Sequence, residues 1–379
     1  MPSTPKTPFA FCFPPELPKG SAPLAGMSYE KECRLKDIAL QMFWKHNEIP
    51  GQPPALAVTP APRGYRTTSK RRVTGSAEAW QLEIEGTDAV LLEPESHRLR
   101  FAALASILNT PEYAPLTRTL NWIILRSNGH RDTVLVLNAI RANASLSRLA
   151  LRIKNVLDEA SLSISGLVFF ADPERSDYYL DSAGAARTLF GRESILMQIA
   201  EKRLVSPVLA FTQVSLEAAG ILVHCVEDLA SQTDCLASGL LDIYCGYGLF
   251  SFFLGNRSRP YIRGIDISET AIQAARRNCP EGIFHAGSVS PGTIARLGEG
   301  TDELVILDPP RSGLPPGIIR ALAKREPAAV IALFCDIDTA PGSVAAWEAE
   351  GYRLAGTRAV DMFAGCSAVE LVALFLPAR

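Results

Sequence analysis

The sequence predicts an α/β protein: a largely parallel sheet in the C-terminal half, preceded by an α+β unit rich in antiparallel strands. Two patterns carry this reading. From residue 215 onward, short and continuously apolar stretches alternate with helical ones, as expected of parallel strands buried on both faces. Between about 55 and 190 the segments are short and alternating, with Gly, Asn and Asp in the turns, as in antiparallel strands. A chain of 379 residues also has material for two cores.

Residues 1–27 are Pro-rich and read as a tail, partly disordered. They lack the basic start and continuous apolar core of a secretory signal. Residues 28–47 read as a helix capped by Ser28, with Glu30 and Glu32 at its positive end. Leu35, Ile38, Ala39, Met42 and Phe43 form its apolar stripe, and Pro50 and Gly51 end it. Next come the segments "WQLEIEG", "AVLLE", "NWIILRSNG", "DTVLVLNAI", "ISGLVFFAD" and "DYYLDSAG", with one amphipathic helix at 145–160. They complete a unit spanning 28–205.

The last unit, 206–379, opens on the helical "SLEAAGILVHCVEDLA". Strands "GLLDIYCG", "YIRGIDIS", "GIFHAG", "ELVILDPP" and "AAVIALFCD" follow, with helical stretches between several of them. The pair "YRLAGTRAVD" and "AVELVALFLP" has no long helix between its members. It is expected to pair antiparallel at the end of the sheet.

Hydrophobic residues make up 47% of the chain and charged residues 21%, close to soluble globular averages. No apolar run reaches the roughly 18 residues of a membrane span. The eight cysteines (12, 33, 225, 235, 245, 279, 335 and 366) contain no C-x-x-C pair. That spacing argues against a zinc site or a disulfide framework, and for reduced thiols in a cytoplasmic protein. The formal net charge of −2 says little about partners, but "RGYRTTSKRR" gathers positive charge. Arg63, Arg66, Lys70, Arg71 and Arg72 are therefore candidate nucleic-acid contacts, the plainer reading being a solvated strand face.

In a parallel sheet of this kind, chemistry gathers at the carboxyl ends of the strands. "LLDIYCGYGLFS" places Gly246 and Gly248 there, where backbone can turn sharply and approach a ligand. A dinucleotide fingerprint would carry a third glycine where Ser251 stands. Asp266, ending the second strand, is placed to accept hydrogen bonds from a ribose diol. With Asp242 in the first strand and "LDPP" after the fourth, the set resembles the class I S-adenosylmethionine-dependent methyltransferases. That resemblance implies a Rossmann-like sheet, mostly parallel with an antiparallel last strand, and S-adenosylmethionine as cofactor.

Arg311 follows Asp308-Pro-Pro, where base-amine methyltransferases tend to carry an aromatic and RNA cytosine-5 methyltransferases a cysteine. D-P-P-R followed by Gly313 resembles instead the RNA uridine-5 methyltransferase family. "SYEKECRLK", "PAPRGYRTTSKRR", "FTQVS", "LDIYCGYGLFS", "LDPPRSG", "LFCDIDT" and "DMFAGCSAVE" follow in the family's order. The resemblance implies Cys335 as nucleophile and Glu370 as proton acceptor. It implies Gln213, Tyr244, Gly246, Gly248, Asp266 and Asp308 as cofactor contacts, with Asp308 alternatively holding the uracil edge. Arg311 joins the basic segment as a candidate RNA contact. Carbon 5 of uracil is a poor nucleophile, and a thiolate adding at carbon 6 makes it electron-rich. An ordinary thiol is only slightly ionised at neutral pH, so Cys335 is expected beside positive charge, with Arg311 the candidate.

The sequence departs from the family pattern at Ser215, Leu249, Phe334, Ile337 and "GCSAVE". These departures leave open a non-catalytic RNA-binding or RNA-remodelling protein, or action on another pyrimidine. A small-molecule methyltransferase is disfavoured by the large β unit. Family members that hold an iron–sulfur cluster carry three of its cysteines just upstream of the first helix; only Cys12 precedes it here, so the resemblance implies no cluster, and no metal is expected. The expected partner is tRNA or rRNA, the expected state a monomer. Nothing in the motif set calls on His224 or His285.

Overall fold

The computed structural model describes residues 5–76, 79–84, 87–129, 132–175, 186–234, 238–255, 259–297 and 302–378. Its first described residues are packed, contrary to the expectation of a loose tail. Phe9–Cys12 form a short 3-10 turn, and Phe9, Cys12, Phe13, Leu24 and Ala25 are buried. Phe9 meets Phe13 and Phe43 edge-on, with ring centroids 5.3 and 5.5 Å apart. Proline content suggested disorder, but the aromatic area among the prolines is enough to anchor the segment.

Helix α1 (Tyr29–His46) follows Ser28 as expected. Its buried face is Glu32, Lys36, Ala39, Leu40, Phe43 and Trp44, while Ile38 and Met42 are exposed. The buried stripe is thus rotated from the expected one, because two charged residues lie inside it. Strand β1 (Leu56–Ala57) comes next. Both α1 and β1 belong with the larger sheet, so its core draws on residues from both sides of the expected boundary at 205/206.

The smaller sheet contains β2 (Thr68–Ser76), β3 (Ala79–Glu83), β4 (Leu120–Ser127), β5 (Thr133–Ala139), β6 (Gly166–Ala171) and β7 (Ala186–Gly191). Its order is β3-β2-β4-β5-β6-β7, antiparallel throughout except for β5 and β6. That parallel pair, not foreseen in the sequence, is joined through the amphipathic helix (Leu146–Glu159) expected at 145–160. "AVLLE", expected as a strand, instead lies mostly in a 3-10 segment, Thr87–Leu92. The helix Glu95–Leu108 was not expected, because its buried side includes His97 and Arg100. His97 joins Ser69 Oγ at 2.9 Å and Ser127 Oγ at 2.8 Å. Burial lowers its pKa to about 3, so the ring is neutral. "DYYLDSAG" and Cys235 lie outside the described residues.

A hairpin of β8 (Ser194–Ile199) and β9 (Lys202–Pro207) leads into the helix Leu216–Ser231. Ser215 caps that helix, its Oγ accepting from the Ala218 N–H at 3.2 Å, so this departure keeps the cap. The hairpin, this helix and one face of the smaller sheet (Trp122, Ile124, Val134, Val136, Val168, Phe170) share one core with the larger sheet.

The larger sheet adds β10 (Leu240–Ile243), β11 (Ile262–Asp266), β12 (Ile283–Ala286), β13 (Leu304–Leu307), β14 (Ala329–Phe334), β15 (Tyr352–Val360) and β16 (Glu370–Pro377). Its order is β1-β15-β16-β14-β13-β10-β11-β12, and only β16 runs against its neighbours. The antiparallel last pair lies at one end of the sheet as expected, apart from the two-residue β1, and the last strand is its inner member. It lies between β14 and β15, with β1 beyond, and is buried over most of its length. A strand buried on both faces reads alike at a sheet's end and in its middle. Alternate residues face two cores: Leu241, Ile243, Val305 and Leu307 lie in the one that includes α1, and Leu240, Leu304, Ile306 and Leu333 in the one that includes the 216–231 helix.

Candidate active site

The loop after β10 is shaped by three left-handed residues: Tyr244 (φ 65°), Gly246 (φ 52°) and Gly248 (φ 81°). Left-handed backbone is unfavourable for tyrosine. It is held here by the Tyr244 and Cys245 N–H groups, which both donate to the Ile265 carbonyl at 2.9 and 3.1 Å. A Cβ on Gly248 would lie 3.1 Å from Ala275, whereas Gly246 faces open space. One glycine permits close packing of the neighbouring helix; the other leaves backbone open to a ligand.

Asp266 ends β11 and accepts from the Gly246 N–H at 3.0 Å and the Ser268 N–H at 2.9 Å. It therefore fixes the loop that its sequence position suggested it would accompany. Asp242 is fully buried and accepts the Ser251 N–H at 3.0 Å and its hydroxyl at 2.6 Å. Ser251, standing where a third glycine would be, is thus a donor to the first-strand acid. Among the described residues, Asp242 Oδ1 and Tyr244 Oη are buried without a partner. Ile267, beside Asp266, is 68% exposed and offers an apolar face at the crevice.

Cys335 follows the end of β14 and Glu370 opens β16. Phe334 is paired with Leu371 in the antiparallel ladder, so the next rung sets Cys335 across from Glu370. Residues opposed in this way present their side chains on the same face. The preceding pair on that face, Leu333 and Val372, lies in the core shared with the 216–231 helix. The sheet thus does not separate the two groups. Cys335 is partly buried, and Glu370 is 2% exposed.

Acidic groups dominate the electrostatics of this edge. Burial, then the charges of Asp242 and Asp266, raise Asp308 to about 7. Burial and then Asp308 raise Glu370 well above the usual carboxylate range. Asp242 is raised to about 6, chiefly by burial against the opposing Ser251 bonds. Burial, Glu370 and Asp308 raise the Cys335 thiol to about 12. The exposed Arg311 acts in the opposite sense on both Cys335 and Glu370. The expected positive charge is there, but burial and carboxylates outweigh it, so in this state the sulfur is a thiol.

Two of the basic candidates need correction. Arg63 is turned inward: its guanidinium donates to the Ala25 carbonyl at 2.9 Å and pairs with Glu32 at 2.9 Å. Arg71 is buried, paired with Glu93 and stacked over Phe101. Strand alternation puts Arg71 on the inner face, and Lys70 and Arg72 on the other. Lys70 and Arg72 flank the Trp122 ring, each 4.4 Å from its centroid.

The inward Arg63 belongs to a buried network that sequence reasoning missed. Lys36 Nζ donates to Glu32 at 2.8 Å, to Asp361 at 2.6 Å and to the Phe363 carbonyl at 3.2 Å. The Tyr29 hydroxyl donates to Asp361 at 2.9 Å, and the Gly365 N–H to Glu32. The N-terminal motif thereby holds the 361–365 turn that leads to Glu370. Glu32 and Lys36, four apart on one helix face, were the available signal. Leu249, Phe334 and Ile337, three of the departures, are all buried in the core.

Gln213 is buried in the loop ahead of the 216–231 helix, and Phe211 on the same loop is 53% exposed. Exposed histidines 224 and 285 lie apart from this set, His224 bonding to Glu227 at 3.1 Å. No helix among the described residues is long and apolar enough to cross a membrane.

A sheet with one reversed strand inside it, and a glycine-shaped crevice at its carboxyl edge, is the class I methyltransferase fold. Pyrococcus abyssi tRNA (uracil-54, C5)-methyltransferase, solved with S-adenosyl-L-homocysteine, shares this fold at a TM-score of 0.70 and 22% identity. The match covers 94% of this chain and 86% of that one. Uncharacterized RNA methyltransferase YljE of Lactococcus lactis is 26% identical over 263 residues, which is 65% of this chain and 56% of the relative. An uncharacterized RNA methyltransferase of Geobacter sulfurreducens is 30% identical over 174 residues, covering 44% and 34% of the two chains. The chain thus spans about half, or less, of the length of these curated relatives. No family model matches it.

Proposed function

We propose that this protein is an RNA methyltransferase that methylates carbon 5 of a uridine in tRNA or rRNA, through a transient bond between Cys335 and carbon 6. The observation that carries the reading is the placement of Cys335 across from Glu370, on the edge that also holds Asp308 and the Gly246–Gly248 loop. S-adenosylmethionine supplies an electrophilic methyl group on a positively charged sulfur. The acidic lining suits that charge, and the orphaned Tyr244 Oη and Asp242 Oδ1 offer polar atoms to a ligand. Gln213, Tyr244, Asp266, Asp308 and the backbone at Gly246 and Gly248 are the contacts assigned to it. Ile267 provides an apolar face for the adenine.

In this reading the Cys335 sulfur adds to carbon 6, and its proton passes to a neighbouring carboxylate. Carbon 5, now electron-rich, takes the methyl group. Glu370 then accepts the carbon 5 proton, the ring double bond re-forms, and the sulfur departs as thiolate. Positive charge brought into the crevice lowers the pKa of Glu370, Asp308 and Cys335 together, so cofactor binding prepares both nucleophile and base. Arg311 adds to that effect from the rim. Arg66, Lys70 and Arg72 are the proposed RNA contacts left after correction, with Phe211 placed to stack on a base.

The buried placement of Leu249, Phe334 and Ile337 favours this reading over a non-catalytic one, since these changes fall in the core. The test is incubation of protein with RNA and methyl donor, followed by mass spectrometry of the nucleosides. 5-Methyluridine is expected from the native chain and none from Cys335→Ala. Undiminished product from the variant would overturn the mechanism.

A further inference from the structure

Arg126 has no part in the chemistry above, yet it is only 1% exposed. It stands near the end of β4, in the smaller sheet, but two bonds of its guanidinium leave that sheet. Nη1 donates to the Ala210 carbonyl at 2.9 Å, and Nη2 donates to the Thr212 hydroxyl. Its charge is also felt at Tyr247, between the two glycines of the crevice loop.

Thr67 completes the grip. Its carbonyl accepts from the Ser127 N–H at 2.8 Å, which fixes it beside Arg126. Its N–H donates to the Val214 carbonyl and its hydroxyl to the Gln213 carbonyl, each at 2.9 Å. Ala210, Thr212, Gln213 and Val214 are thus all held by Arg126 of β4 and Thr67, the residue just ahead of β2. An apolar side chain would meet the packing needs of a position continuing the face of Trp122 and Ile124. A buried guanidinium instead demands fixed acceptors, and here the loop supplies them.

We propose that Arg126, assisted by Thr67, is a positioning residue for the cofactor: it holds the 210–214 loop so that Gln213 meets the methyl donor. This inference rests on the cofactor assignment above. It makes cofactor affinity depend on a residue of the unit that carries the proposed RNA contacts.

Titration calorimetry of the full chain with S-adenosylhomocysteine, together with kinetics, tests it. Arg126→Met and the milder Thr67→Val should weaken binding about fivefold or more, with Arg126→Lys between Arg126→Met and the native chain. The KM for methyl donor should rise while the KM for RNA stays put. Arg100→Met is the control for a merely structural loss. It removes another buried arginine of the smaller unit, one that donates to the Leu162 and Ser163 carbonyls at 3.0 Å. It should lower stability and leave cofactor affinity unchanged. If Arg126→Met does not fold, Thr67→Val decides. Native binding with unchanged affinity in the folded variants, or an equal rise in both KM values, would overturn the positioning role alone. A native chain that binds no S-adenosylhomocysteine would overturn the cofactor assignment and this inference with it.

Discussion

The Phe9 backbone N–H donates to Asp338 Oδ1 at 2.7 Å, tying the N-terminal segment to the turn that follows Cys335. Asp338 in turn donates its own N–H to Asp336 Oδ1 at 3.2 Å. The segment therefore bears on the surroundings of Cys335 from outside the sheet. Asp338→Ala should lower kcat severalfold with little change in the KM for methyl donor, read from initial rates. Phe9→Ala, which removes a buried ring, should lower stability by about 3 kcal/mol in urea denaturation.

Glu370 separates two steps that Cys335 does not. On the proposed mechanism, Glu370→Gln leaves the carbon 5 proton without an acceptor, so the sulfur is not expelled after methyl transfer. Turnover should fall by at least about 100-fold. A protein–RNA adduct that survives denaturing electrophoresis should accumulate, and Cys335→Ala should remove it. Loss of turnover without an adduct would assign the proton to another group.

The raised carboxylates predict an unusual pH dependence. The Asp308 pKa is about 7 in the fold, against about 4 in an unfolded chain. A carboxyl group raised in this way contributes stability that is fully present below the unfolded value and is lost as pH rises through about 7. Asp308→Asn, which keeps the shape without the charge, should therefore raise the Tm of the ligand-free protein at pH 8 by a few degrees and hardly change it at pH 4. A cationic ligand has the opposite preference. S-adenosylmethionine should bind more tightly above pH 7 than below it, and calorimetry in buffers of different ionisation enthalpy should show proton release.

Lys36→Met tests the network beneath the 361–365 turn. It leaves Glu32 and Asp361 buried together without their cation, which should lower stability by about 3–5 kcal/mol. A change under 1 kcal/mol in denaturant titration would mean that water replaces the ammonium.

Much of this was legible because the larger sheet is buried on both faces and therefore writes continuous apolar strands. The crevice was legible because its turn needs glycine and its strand ends carry acids. The signals that failed share one cause: charged side chains that are buried look like surface in a sequence. Glu32 and Lys36 hid the true face of α1, and His97 and Arg100 hid a whole helix. Arg63 and Arg71 passed for an exposed basic patch although each has a buried or inward-turned partner set. Cys335 follows the strand that the sequence predicts, but burial, Glu370 and Asp308 together raise its pKa, which no local spacing reveals.

The position of β16 bears on how the molecule is made. Among the strands of its sheet it is the last to leave the ribosome, yet it fills the gap between two that precede it. Until it arrives, β14 has an open edge and β15 has no neighbour on that side, so the nascent chain carries unpaired backbone inviting association with other chains. The same strand brings the carboxylate opposite Cys335. Closing the sheet and setting Glu370 across from Cys335 are therefore a single folding event, and a chain halted before residue 370 holds the thiol without that carboxylate.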